Sequence, residues 1–212
     1  MKIKNGRYWL AVGAWLFLAA SSHAAIMYKV TVDTSSVSGT TGYLDFQFNP
    51  NNPTSQAAVA SITGFTGGTL GAVVPPLDPN ITGTLPALMT MNNSAPLVEA
   101  YQAFTYGPSF SFFVALSGPA IDTPNGTATA GTTFGLGLYD SSSVAILTSN
   151  FNGFAFQAQI NLLGNPARVT PTAFPNGANP TVVTFAEVPE PGAMGLAGLG
   201  LAALFLVKRR LT

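Results

Sequence analysis

Residues 42–50 read Gly-Tyr-Leu-Asp-Phe-Gln-Phe-Asn-Pro, and the stretch alternates apolar with polar side chains before it reaches a turn-forming Asn-Pro pair. The apolar members Leu44, Phe46 and Phe48 fall on one side of an extended chain, and the polar residues between them fall on the other. A period of two residues is typical of a β-strand that buries one face. The stretch therefore predicts a strand of a sheet with one face in a core and the other toward solvent.

The same period returns through most of the chain between residues 25 and 187. Regular runs lie at 28–33, 110–116, 134–138, 154–162 and 181–186, and less regular ones at 57–65, 81–91 and 100–106. Clusters of Gly, Pro, Asn and Asp separate these runs, and no helical face of three turns is visible. We predict an all-β fold, a single β-sandwich or jelly-roll-like domain of about nine to ten strands at residues 25–187, with a barrel as the lesser alternative. Residues 164–180 carry four prolines and are predicted to form a long loop.

The first 24 residues are typical of a secretory signal peptide. A basic n-region precedes an apolar run at residues 10–20, and the small residues Ser22 and Ala24 stand at the two positions that signal peptidase reads. We predict cleavage between Ala24 and Ala25. An uncleaved N-terminal anchor is the alternative, but the apolar run is too short to span a bilayer.

The last 25 residues carry a second targeting pattern. Residues 192–207 have no charge, and the cations Lys208, Arg209 and Arg210 follow directly. A helix of that length spans roughly 24 Å, against about 30 Å of bilayer hydrocarbon. Basic residues after a membrane segment favour the cytoplasmic side. We predict a linker motif at 188–191, a transmembrane helix at 192–207 and a basic cytoplasmic tail at 208–212, in which the three cations stop transfer.

This arrangement resembles the PEP-CTERM sorting signal of Gram-negative bacteria, in which Pro189, Glu190 and Pro191 supply the motif ahead of the apolar span and basic cluster. The resemblance implies recognition and tail removal by exosortase, a membrane-embedded cysteine protease of bacteria that export polysaccharide. It implies an inner-membrane precursor with a periplasmic body, which then moves to the cell surface or extracellular matrix. A plain tail anchor is the alternative.

The body also resembles a group of PEP-CTERM proteins whose function is not known. The resemblance rests on residues 30–36, 42–50, 83–86 and 110–119. It favours the single-domain interpretation and brings no catalytic residue with it.

Composition excludes several kinds of chemistry in the body. Residues 25–187 hold two cations, Lys29 and Arg168, against seven acidic residues, which gives a net charge of −5. So few cations cannot neutralise a phosphate backbone, and nucleic acid is excluded as a partner. The chain has no Cys, and its one histidine, His23, lies in the predicted signal peptide. Serine and cysteine triads, His-ligated zinc and thiolate metal sites are therefore absent from the mature body, and we predict a protein that is not an enzyme and needs no cofactor.

Three kinds of site remain open. Two acidic residues could form a glycosidase-type carboxylate pair, although nothing in the sequence marks which two would meet. Calcium accepts carboxylate and backbone oxygens, and the loops to inspect are 122–125 and 140–143, with a solvated turn as the preferred interpretation. Tyrosine rings can face sugars, but they more often pack half-buried. The tyrosines of the body are Tyr28, Tyr43, Tyr101, Tyr106 and Tyr139.

The sequence thus predicts an exported, non-catalytic envelope or extracellular protein associated with the exopolysaccharide or biofilm matrix. Its expected partners are signal peptidase and exosortase as processing enzymes, the inner membrane before processing, and exopolysaccharide. The alternative is a lectin-like module or a carbohydrate-active enzyme on a β-sandwich. A cleft with two close carboxylates would favour the enzyme, an exposed Tyr platform the lectin, and a smooth polar surface the non-catalytic interpretation.

Overall fold

The alternating runs form twelve β-strands in the computed structural model, which describes residues 25–124, 131–161 and 168–189. The strands are β1 (Ile26–Asp33), β2 (Thr41–Pro50), β3 (Val59–Thr66), β4 (Thr69–Val73), β5 (Ile81–Gly83), β6 (Met89–Asn92), β7 (Glu99–Thr105), β8 (Ser109–Ser117), β9 (Thr132–Asp140), β10 (Phe154–Ile160), β11 (Val169–Ala173) and β12 (Val183–Val188). A 3-10 helix (Ser35–Val37) follows β1, and a one-turn helix α1 (Pro119–Asp122) follows β8.

The strands pair into two six-stranded antiparallel sheets, so the all-β prediction is confirmed. Sheet I has the order β12-β1-β8-β3-β6-β5, and sheet II has the order β11-β10-β9-β2-β7-β4. Consecutive strands often belong to different sheets, since β1, β3 and β8 lie in sheet I while β2, β4, β7 and β9 lie in sheet II. Such crossing is typical of β-sandwiches, whose two inner faces share one core.

The core between the sheets is rich in phenylalanine. Phe46 of β2 is fully buried, and its ring meets Phe112 of β8 edge-on across the sandwich at 5.5 Å between centroids. Phe65 of β3 stacks on Phe110 and meets Phe104 of β7 edge-on. Aromatic rings in such contacts bury large apolar areas and gain from their edge-to-face geometry. The core therefore supplies the stability that a chain without disulfides needs.

The predicted strand number of nine to ten was too low, for three local reasons. The run at 81–91 divides into two short strands, β5 and β6, because residues 84–88 turn the chain between them. The short edge strand β4 has no clear alternation and its pairing with β7 is irregular. β11 lies inside the segment predicted as a long loop, and its Pro171 is tolerated because β11 is an edge strand that pairs only with β10.

The predicted membrane segments lie outside the described residues. These are the signal peptide at 1–24, the transmembrane helix at 192–207, and the cations Lys208, Arg209 and Arg210, together with Glu190 and Pro191 of the motif. Within the part of the chain that the structure describes, no helix is long and apolar enough to cross a membrane.

Candidate functional site

Polar and aromatic side chains gather on the outer face of sheet II around Asp45. Because the apolar residues of β2 point into the core, Asp45 and Gln47 point away from it. The strand register places Tyr101 opposite Asp45 and Glu99 opposite Gln47 on β7, and it places Gly137 of β9 on the other side of Asp45. We call the following residues the tyrosine–carboxyl cluster: Tyr43, Asp45, Gln47, Glu99, Tyr101 and Tyr139.

Two glycines of β9 let aromatic rings lie close against this outer face. A Cβ atom at Gly137 would come within 2.7 Å of the Tyr139 ring, and one at Gly135 would come within 2.5 Å of the Phe154 ring. Real Cβ atoms do not approach that closely, so the rings occupy the space that the glycines leave free. Beneath this cover Asp45 is only 1% exposed, although it points away from the core.

The Asp45 carboxyl belongs to a short chain of side-chain hydrogen bonds. Gln47 Nε2 donates to Asp45 Oδ2 at 2.7 Å and, more weakly, to Glu99 Oε1 at 3.3 Å. Asn49 Nδ2 in turn donates to Gln47 Oε1 at 2.8 Å. Asp45 Oδ1 is buried and has no hydrogen-bond partner among the described residues. One amide therefore bridges two carboxyl groups, one of which keeps an unsatisfied oxygen.

Burial raises the pKa of Asp45 to about 8, and the negative charge of Glu99 acts in the same direction. The hydrogen bond from Gln47 opposes both effects but is weaker. Desolvation disfavours the charged form of an acid, and a neighbouring carboxylate disfavours it further. Asp45 therefore holds a proton at neutral pH, which spares the fold an unpaired buried charge.

The tyrosines of the cluster pack on one another. The rings of Tyr43 and Tyr101 stack at 4.7 Å between centroids, and Tyr101 meets Tyr139 edge-on at 5.8 Å. Tyr101 Oη also donates to Ser143 Oγ at 3.1 Å. Burial raises the pKa of both Tyr101 and Tyr139, so their hydroxyls stay neutral at physiological pH. The rings are half-buried and held in place, and they do not stand free in solvent.

A shallow groove of about 210 Å³ lies beside Tyr43 on the same face, between β2, β7 and β4. Gly71 and Ala103 are small members of its lining, and four exposed hydroxyl residues lie around them. These hydroxyl residues are Thr41, Thr69, Thr105 and Ser141. Buried Tyr106 supports this part of the sheet, because its hydroxyl bonds the carbonyl oxygens of Tyr43 at 2.9 Å and Tyr139 at 3.0 Å. We call this feature the Tyr43 groove.

A second cavity, of about 540 Å³, lies at the β2–β3 connection. Its polar groups already serve the fold: Asn93 Nδ2 donates to Thr132 Oγ1 at 2.7 Å, and Asn93 Oδ1 accepts the Ala58 N–H at 2.8 Å. Ser55 Oγ donates to the Gly131 carbonyl oxygen at 2.8 Å. This cavity is therefore lined by groups that hold loops together.

The described residues of the two loops predicted as candidates for calcium do not assemble a site. Asp140 Oδ1 accepts the N–H groups of Ser142 and Val144, at 2.8 and 2.9 Å, and so caps its own turn. Asp122 ends α1, and one of its buried oxygens has no hydrogen-bond partner among the described residues, which do not include Asn125. Within the described ranges, no three Asp, Glu, His or Cys side chains come together as metal ligands.

The C-terminal targeting segment follows directly on the last strand. β12 pairs with β1 through Glu187 opposite Tyr28 and Val188 opposite Met27, and Pro189 is exposed. Residues 187–210 match the PEP-CTERM protein-sorting motif. The motif implies an exported protein that exosortase sorts, as the sequence predicted. The matched range overlaps β12 by two residues, so the match begins within the last strand of the body. Neither a curated protein nor a solved structure matches the chain.

Proposed function

We propose that the protein is a non-catalytic component of the cell envelope or extracellular matrix that associates with exopolysaccharide. The observation that carries the proposal is the PEP-CTERM match at residues 187–210. Exosortase belongs, by the resemblance described above, to bacteria that export polysaccharide. A protein delivered by that protease reaches the surface or matrix in which the polysaccharide accumulates.

The proposed route uses both ends of the chain. Signal peptidase releases the N-terminus between Ala24 and Ala25, and the apolar segment at 192–207 holds the precursor in the inner membrane. Lys208, Arg209 and Arg210 keep the tail cytoplasmic, so the body lies in the periplasm. Exosortase then removes the tail, and the body moves to the cell surface or matrix.

Two features of the body support a non-catalytic role. The mature sequence has neither histidine nor cysteine, so the common nucleophile and base pairs are missing. The two carboxyls that the fold brings together, Asp45 and Glu99, share one amide donor under a cover of tyrosine rings. A glycosidase needs its two catalytic carboxyls on either side of a bound glycosidic bond. Asp45 is only 1% exposed, so it could reach such a bond only if the tyrosine rings moved away.

Sorting is tested by changing single motif residues and following the length of the mature protein. Glu190→Ala and Pro191→Ala should leave a full-length membrane precursor, because the prolines keep residues 189–191 extended and Glu190 supplies the only charge among these three residues. Asp33→Ala is the matched control, since Asp33 is an exposed acid of β1 outside the matched residues 187–210. In cells with exosortase, mass spectrometry should show removal of the tail in the wild type and the control only. In cells without exosortase, every variant should keep its tail. If all variants are processed equally, the segment acts only as a membrane anchor and not as a sorting signal.

Association with the matrix is tested separately by fractionation. The wild-type protein should co-purify with extracellular polysaccharide, and enzymatic degradation of that polysaccharide should release it. Processed protein that stays free of polysaccharide would reject the proposed association while leaving exosortase sorting intact.

A carbohydrate-binding module is the second candidate function. The Tyr43 groove favours it, because the groove combines one tyrosine ring with several exposed hydroxyls. This candidate is compatible with the first, since binding to a glycan is one way to stay in the matrix.

A further inference from the structure

We propose that the Tyr43 groove binds one neutral sugar residue of the exported polysaccharide. This inference rests on the proposed association with exopolysaccharide and assigns it to a place on the fold. Three properties of the groove carry the argument: its free hydroxyls, its fixed aromatic wall and its lack of cations.

The hydroxyls around the groove are available to a ligand. Thr41, Thr69 and Thr105 face outward on three neighbouring strands, and Ser141 follows β9. All four residues are exposed, and none of their hydroxyls hydrogen-bonds another described residue. Each hydroxyl can donate one hydrogen bond and accept others, which matches the alternating donors and acceptors of a polyol. The second cavity lacks such free groups at Ser55 and Asn93, because these side chains already hydrogen-bond other residues of the body.

The aromatic wall is fixed before any ligand arrives. The Tyr43 ring lies 4.7 Å from Tyr101 in a stacked arrangement with 19° between the planes. Its backbone carbonyl is held by the Tyr106 hydroxyl. A side chain that is already ordered loses little entropy on binding. The apolar ring face together with nearby hydroxyls suits a sugar, which has both C–H faces and hydroxyl groups.

The depth of the groove depends on two small residues. A Cβ atom at Gly71 would lie 3.0 Å from the Ala103 Cβ, which is closer than most real contacts, so a side chain at Gly71 would crowd Ala103 and the glycine leaves that space open. A longer side chain at Ala103 would occupy the groove. At about 210 Å³ the groove is smaller than the usual pocket for a drug-sized ligand, and it accommodates one sugar unit of a chain better than a larger group.

Charge selects a neutral sugar over an acidic one. None of the described residues that line the groove is Lys or Arg, and the acidic residue Asp140 directly precedes Ser141 at the edge of the groove. Anionic sugars such as uronates bind best to a cationic side chain. The described lining supplies none, so a neutral glycan fits its chemistry.

Binding is measured with the full chain in a zwitterionic detergent that contains no sugar. The probes are dextran and galactomannan as neutral polysaccharides, alginate as an acidic one, and the neutral polysaccharide fraction of the producing strain. Affinity electrophoresis gives the dissociation constant for each probe. The wild-type protein should bind at least one neutral probe and should bind alginate more weakly or not at all.

Two variants test whether the groove is responsible. Ala103→Leu fills it and should weaken binding by about tenfold or more, as is typical when a central contact of an interface is lost. The double variant Thr69→Val, Thr105→Val removes two hydroxyls while keeping the shape, and it should weaken binding by a similar factor. The matched controls lie on the outer face of sheet I: Ala115→Leu for the first, and Thr31→Val with Thr63→Val for the second. The controls should bind as the wild type does, and circular dichroism should show all variants folded.

Each outcome decides the inference. Wild-type affinity in both groove variants would overturn it, and so would a preference for alginate or an absence of binding to every neutral probe. If the groove variants bind as tightly as the wild type while the protein still co-purifies with matrix polysaccharide, the proposed function stands and the assigned site is wrong.

Discussion

Asp33 and Asp45 both point outward from a strand, one from each sheet, and their surroundings are opposite. Asp33 ends β1 on the outer face of sheet I, fully in solvent, where hydrogen bonds from Ser35 lower its pKa. Asp45 lies in the middle of β2 on the outer face of sheet II, where burial raises its pKa to about 8. The same residue type is thus an ordinary surface acid in one sheet and a protonated buried acid in the other.

The contrast extends to the two outer faces as a whole. Outward residues of sheet I such as Ser61 and Ser111 are small, and its outward Phe113 ring lies against Gly64, opposite Lys29 and Thr63. Sheet II instead places Tyr139 and Phe154 against glycines of β9 and encloses the Asp45 carboxyl beside a partly exposed Glu99. Burial of a carboxyl without a cation costs stability at neutral pH, so it is not the arrangement expected of a surface that serves solubility alone. This difference is why we assign function to sheet II.

The largest expected effect is the dependence of stability on pH. Because the pKa of Asp45 is higher in the folded state, the stability that it contributes is complete below about pH 4 and is lost as the pH rises to about 8. The loss should reach several kcal/mol, since one pKa unit corresponds to about 1.4 kcal/mol. Asp45→Asn should abolish most of this decline and should make the protein more stable than the wild type at pH 8. Urea unfolding at several pH values measures both.

The matched control for this prediction is Asp33→Asn on sheet I. The pKa of Asp33 is lowered in the folded state, so its contribution has the opposite sign: it is present above about pH 4 and is lost as the pH falls. Asp33→Asn should therefore leave the decline between pH 4 and 8 unchanged. A decline of equal size in Asp45→Asn would show that other groups cause it.

The next effect concerns the glycines under the rings. Gly135→Ala and Gly137→Ala should each lower the free energy of unfolding by about 1–3 kcal/mol, because the new methyl group overlaps the Phe154 or Tyr139 ring. Ala115→Val, which enlarges a side chain on the outer face of sheet I, should change stability by less than about 0.5 kcal/mol. Thermal unfolding compares the three variants. Equal losses in all three would mean that the two faces do not differ in packing.

The smallest effect is that of a single hydroxyl at the rim of the cluster. Tyr101→Phe removes the exposed hydrogen bond to Ser143 but keeps the stacking on Tyr43. The loss should be no more than about 1 kcal/mol, as for other weakly buried hydrogen bonds. A loss of several kcal/mol in denaturant unfolding would show that the hydroxyl, and not ring packing, holds the cluster together.

Most of the fold could be predicted because each regular strand contains its own signal. Period-two runs such as the one around Phe46 found the long central strands, where one face is fully buried. The edge strands β4 and β11 have fewer inward residues, and a Pro in β11 resembles a loop signal. Edge strands form because a neighbour offers them hydrogen bonds, and that information is not local in sequence.

The candidate site could be predicted only in part. The sequence offers tyrosines and a carboxylate pair as candidates, but it does not indicate that Glu99 joins Asp45. That pairing depends on the register of β2 against β7, two strands separated by about fifty residues of chain, and register is set by tertiary packing. A local signal did exist, since Gly135 and Gly137 alternate on one face of β9 and mark a face that other groups approach closely. The sorting motif, by contrast, is contiguous, and sequence alone sufficed to recognise it.

The most direct test of the contrast between the two faces is a carbon-13 NMR titration of the aspartate carboxyls in the full chain. Asp33→Asn and Asp45→Asn assign the two resonances in one set of spectra. The account predicts that Asp45 titrates near pH 8 while Asp33 titrates below the usual range for aspartate. If both carboxyls titrate together near pH 4, Asp45 is not buried as a neutral acid. The proposed difference between the outer faces of the two sheets would then be wrong.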